Sequence, residues 1–156
     1  MRDKLLAETK AAMKAGEKER LGTLRMISAA FKNRDIEARV TGPGASSGDA
    51  KADDAELLQT LQKMVKQRRE SIATYEQAGR DELAAKEAAE ISVIQEFLPK
   101  AMDDAEMDAA VAATISDVGA DSVKDMGKVM GALKERYAGQ MDFGKASGLV
   151  KARLAG

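Results

Sequence analysis

From Leu5 to Met13, the positions Leu5, Leu6, Thr9, Ala12 and Met13 return at the three- and four-residue spacing that stacks side chains on one face of a helix. With Asp3 as cap and Gly16 as stop, the spacing predicts a helix over about residues 3–15. Leu21, Leu24, Ile27 and Phe31 repeat the pattern, while Lys18, Arg20, Arg25, Lys32 and Arg34 fall largely outside it. A longer amphipathic helix is therefore expected from Glu17 to about Arg39. Periodicity is lost across residues 41–52, where Gly, Pro and Ser collect, and this stretch reads as a flexible connector.

Beyond it, Asp53 or Asp54 can cap a helix reaching about Ala78, in which Leu57, Leu61, Val65, Ile72 and Tyr75 form a stripe close to coiled-coil spacing. Gly79 ends that helix. A fourth is expected from Asp81 to about Phe97, with Leu83, Ile91, Ile94 and Leu98 inward and Pro99 stopping it. Three shorter helices follow, capped by Asp103 or Asp104, by Asp125 and by Asp142, and reaching about Val118, Tyr137 and Leu154. Gly119 and Gly139 stand between them, as glycines do past helix ends. The expected fold is all-α, with about seven helices in two lobes. A long amphipathic N-terminal lobe covers residues 1–98, and a small three-helix C-terminal lobe covers 99–156.

Composition narrows the chemistry. The chain has 156 residues, of which 3% are aromatic, and it contains neither cysteine nor histidine. Disulfides, thiolate or imidazole metal ligands and cysteine nucleophiles are excluded together, and so is the usual general base. No catalytic residue set, no metal and no cofactor is expected. Met1 to Leu6 runs straight into the amphipathic pattern, with neither a leader nor a membrane span, so the expected location is cytoplasmic. Basic and acidic residues number 25 and 26 overall, 17 and 17 in residues 1–98, and eight and nine in residues 99–156. Neither lobe is a basic module, so contact with nucleic acid would need a local patch.

Four features stand out along the chain. Gly42-Pro-Gly-Ala-Ser-Ser-Gly48 lacks the neighbouring sheet and the Lys-Ser/Thr that a phosphate-cradling loop needs, and it is read as linker. Leu61, Val65, Arg68, Ile72 and Tyr75 advance by four, three, four and three, which sets a guanidinium inside an apolar seam. Glu87 holds the equivalent place in the next helix with Glu90 beside it, so contact of Arg68 with Glu87 or Glu90 is expected, as a buried pair fixing register. Lys63, Lys66 and Arg69 step by three along the polar side of the same helix, an arrangement that suits either a solvated face or a grip on phosphates. Gly127 and Gly131 lie one turn apart in a helix whose Met126, Val129, Met130 and Leu133 are core candidates. Each such glycine costs about 1 kcal/mol relative to alanine, so close packing of another helix, or of a ligand or RNA backbone beside Lys128, is expected there.

These residues carry a resemblance. Lys66-Gln-Arg68, Ala78-Gly-Arg80-x-x-Leu83, Glu87-x-x-Glu90, Phe97-Leu-Pro99, Met126-Gly-Lys-Val-Met130 and Ser147-x-x-Val150-Lys-x-x-Leu154 together resemble a YqeY-type protein of the GatB/YqeY family. Gly127, Val129, Met130 and Leu154 also resemble the tail of the B subunit of glutamine-dependent tRNA amidotransferase. The resemblance implies a two-lobed helical fold and a link to transfer RNA, because that tail helps to hold the tRNA being amidated. It implies no catalysis here, and a label of carbon-nitrogen ligase with glutamine as amido donor would be inherited from the relative. The leading expectation is an accessory module binding tRNA or a tRNA-handling enzyme, with Lys63, Lys66, Arg69, Lys128 and Lys151 as contact candidates. A protein-interaction adaptor, using amphipathic helices and internal methionines, is the alternative.

Overall fold

The computed structural model describes residues 1–41 and 50–156, and these form seven α-helices with no strand among them. They are α1 (Arg2–Ala15), α2 (Lys18–Thr41), α3 (Asp54–Gln77), α4 (Asp81–Gln95), α5 (Asp104–Val118), α6 (Met126–Arg136) and α7 (Phe143–Ala155). The chain divides into two compact units, Met1–Leu98 and Pro99–Gly156. The glycine-serine run 42–48 lies outside the described residues.

In the first unit α3 and α4 make the most extensive contact, α2 packs on both, and α1 packs on α2. Leu24, Ile27, Phe31, Leu57, Leu61, Val65, Ile91 and Ile94 are buried together, the apolar face that stabilises such helices more than their intrinsic propensity does. In the second unit α5, α6 and α7 each touch the other two around Met107, Val111, Val129, Leu133, Met141, Ala146 and Val150.

Three helices start as their sequences dictate. The Asp53 carboxylate accepts the Glu56 N–H at 2.8 Å, and the Glu56 carboxylate accepts the Asp53 N–H at 3.0 Å. Asp103 and Glu106 repeat this reciprocal cap at 2.7 and 3.1 Å, while Asp142 accepts from the N–H groups of Gly144 and Lys145. Gly16 and Gly119 close α1 and α5 at φ of 71° and 66°, in the left-handed region where a Cβ is unfavourable.

Other expectations need correction. Asp3 does not cap α1, which already begins at Arg2; its charge sits inside the first turn instead. Asp125 makes no side-chain cap on α6, because its carboxylate turns back to the Asp121 N–H at 3.2 Å over a short 3-10 turn, Val123–Asp125. The α4 helix ends at Gln95, short of Phe97, whose ring is nevertheless buried in the following turn. Leu6, Met13 and Leu83 face solvent, the first two at 57% and 56% exposure. The α1 helix packs chiefly on α2, so Leu5 and Ala12 fill its narrow contact, and Ala84 rather than Leu83 takes the inward place on α4. The connector reading also fails at its edges: Thr41 still belongs to α2, and Ala52 is buried with both its backbone groups bonded.

Candidate functional site

Arg68 projects from α3 toward α4, where its Nε donates to Glu90 at 2.9 Å and lies 3.9 Å from a Glu87 oxygen. Its Nη1 donates to the Met64 carbonyl at 3.2 Å, and its Nη2 reaches the Met26 sulfur on α2 at 3.5 Å. The guanidinium is thereby used up in joining three helices, which is a structural employment.

A second polar junction has the same logic. Asp35 continues the buried stripe of α2, four residues after Phe31 and three before Ala38. Arg2 donates to both its oxygens, at 2.9 and 2.7 Å, and also to the Ala52 carbonyl at 3.0 Å, while the Ala52 N–H donates to Asp35 at 2.9 Å. Burial alone would raise the Asp35 carboxyl, but the bonds from Arg2 and Ala52 outweigh it and hold the group below the usual carboxylate range. A third junction is Arg20, which bridges Glu8 at 2.7 Å and Glu96 at 2.6 Å. Those bonds, Glu96 foremost, raise its already high pKa. Sequence reasoning missed Asp35 and Arg20. Asp35 could have been found by the test that singled out Arg68, a charge at seam spacing. For Arg20 the sequence shows only its i,i+3 neighbour Glu17, 3.8 Å away, since its two hydrogen-bonded partners lie on α1 and beyond the end of α4.

The contact candidates behave differently. Lys63, Lys66 and Arg69 on α3, and Lys128 and Lys151 on α6 and α7, are all exposed and make no ion pair or side-chain hydrogen bond with any described residue. Every ion pair among the described residues uses arginine: Arg2, Arg20, Arg34, Arg68, Arg136 and Arg153. The planar fork of arginine suits fixed bidentate pairing, whereas lysine offers a mobile, hydrated point charge.

Gly127 and Gly131 do not serve internal packing. Both are exposed, and a Cβ added at either would meet nothing within 4 Å. No group of three or more carboxylates among the described residues is placed to hold a metal ion, and no helix is long and apolar enough to cross a membrane.

The family described as Yqey-like protein matches residues 2–154, and the chain belongs to it. Among curated proteins, Altered inheritance of mitochondria protein 41, mitochondrial, of Vanderwaltozyma polyspora is 32% identical over 94 residues, which are 60% of this chain and 46% of that protein. Its counterpart in Eremothecium gossypii is 34% identical over the same shares, and that of Kluyveromyces lactis is 30% identical over 117 residues, 73% of this chain and 58% of that protein. The chain thus spans about half the length of the curated relatives it matches. Their names place those proteins in mitochondria.

Proposed function

We propose that the protein is a non-catalytic accessory module that binds tRNA, or an enzyme acting on tRNA, through exposed cations. The observation that supports this is the state of the surface cations: the ion pairs among the described residues all use arginine, whereas Lys63, Lys66, Arg69 and Lys151 are exposed without a partner there and Lys128 is exposed with only Asp125 near it. Likeness of Gly127, Val129, Met130 and Leu154 to the amidotransferase tail supports tRNA as the RNA, and with it association with a glutamine-dependent carbon-nitrogen ligase. So few aromatic side chains leave backbone and shape, not base stacking, as the means of recognition. A cytoplasmic setting belongs to this reading, and fractionation of cells tests it. Filter binding across a salt series tests the rest. Folded tRNA should be retained in preference to random RNA of equal length, with affinity falling steeply as salt rises. Equal retention of both at physiological salt removes the proposal.

A protein-interaction adaptor is the second reading, favoured by the exposed Leu6 and Met13 on α1 and Ile36 and Val40 on α2. Partners that survive nuclease treatment and charge reversal at Lys63 and Lys66 would favour it.

A further inference from the structure

We infer that the outward faces of α6 and α7 lie against the phosphate backbone, and that the acidic α5 turns this side of the Pro99–Gly156 unit toward RNA. The inference rests on the RNA-binding reading above and assigns its surface. The near-neutral count of the unit conceals a strong polarity. Residues 99–125 carry seven carboxylates and two cations, whereas residues 126–156 carry six cations and two carboxylates. The α5 helix holds Asp104, Glu106, Asp108 and Asp117 and no cation, and α7 holds Lys145, Lys151 and Arg153 and no carboxylate.

Part of that charge is spent at the seam between the helices. Arg136 meets Asp117 at 2.8 Å, and Arg153 meets Asp108 at 2.8 Å. Lys134 on α6, and Lys145 and Lys151 on α7, remain exposed with no partner among the described residues, Lys128 on α6 is exposed with only the nearby Asp125 carboxylate to attract it, and Glu135 is the one carboxylate within α6. A polyanion is attracted to that side and repelled from α5, so charge alone orients the unit.

Within each row the lysines flank a bare stretch of helix, at Gly131 on α6 and at Gly148 on α7. Neither glycine has a positive φ, and a Cβ at either would touch nothing within 4 Å. Backbone conformation and packing therefore require neither. Between two ammonium groups, the missing side chain admits a phosphodiester strand closer to the helix surface than alanine would. Tyr137 and Phe143 pack on the core of the unit, which leaves these faces without stacking rings.

Binding of folded tRNA should be measured for the whole chain, for Lys128→Glu with Lys151→Glu, for Lys63→Glu with Lys66→Glu, and for Gly131→Ala with Gly148→Ala. The Lys128/Lys151 variant should lose at least about tenfold in affinity and flatten the log-affinity against log-salt slope by about 1–2, and the Lys63/Lys66 variant should lose less. The alanine variant should melt at a higher temperature than the wild type yet bind about threefold or more weakly, a combination that a purely structural role for the glycines does not produce. Unchanged affinity in the alanine variant, or a larger loss in the Lys63/Lys66 variant, overturns the assignment while tRNA binding stands. A wild-type chain that ignores tRNA defeats the underlying reading itself.

Discussion

Arg68 and Glu90 join α3 to α4 through a 2.9 Å bond, with only 13% and 14% of their side chains exposed. Glu87 is 3.9 Å away, so the guanidinium faces two carboxylates and commits to one.

Glu90→Ala leaves that guanidinium nearly buried without its main partner, and should cost about 2–4 kcal/mol in urea unfolding. Arg68→Met combined with Glu90→Leu should recover most of the loss, because an apolar pair fits the same seam. Equal losses in the single and double variants would show that the pair is not what holds the contact.

Asp35 gives a pH signature. Its carboxyl titrates lower in the folded chain than the unfolded value of about 3.9, so its contribution is complete above that pH and disappears as pH falls through the folded value. The urea midpoint of the wild type should drop more steeply below about pH 4 than that of Asp35→Asn. The variant should be the less stable of the two at neutral pH. Parallel curves would remove Asp35 as the source.

Thr114 is fully buried on α5, and its hydroxyl has no partner among the described residues, unlike that of Thr23, which bonds to the Glu19 carbonyl. Replacing it with valine keeps the shape and removes an unpaired polar group. Thr114→Val should therefore stabilise the chain by about 1 kcal/mol, read as a higher thermal midpoint.

The caps separate real from apparent ones. Asp53→Ala and Asp103→Ala should each cost about 1 kcal/mol, since each breaks a reciprocal cap. Asp3→Ala should cost less, because that residue caps nothing. Chemical unfolding of the three variants under one condition gives the ranking.

The all-α class is legible because helical signals are local: a period, an acidic cap with Glu three residues on, a glycine at the stop. Asp53 and Glu56 are three residues apart, and nothing distant can reassign them. Burial at the flank of a stripe is not local. Leu5 and Leu6 look alike in the sequence, and only the tertiary packing of α1 decides that Leu5 is buried and Leu6 exposed. Asp125 satisfies every local rule for a cap but is diverted by a turn that brings the Asp121 N–H within reach. For the candidate cations, the sequence shows where the lysines stand but not which charges are free, since pairing of Arg20 with Glu96 or of Arg153 with Asp108 crosses 76 and 45 residues.

The Arg2, Asp35 and Ala52 junction has a consequence for biosynthesis. During translation α1 leaves the ribosome before α3, but the Arg2 guanidinium cannot be fastened until about fifty further residues have emerged, because Ala52 supplies both an acceptor and a donor to the knot. An earlier helix must therefore wait for a later segment, and α1 is secured only when the chain that leads into α3 arrives.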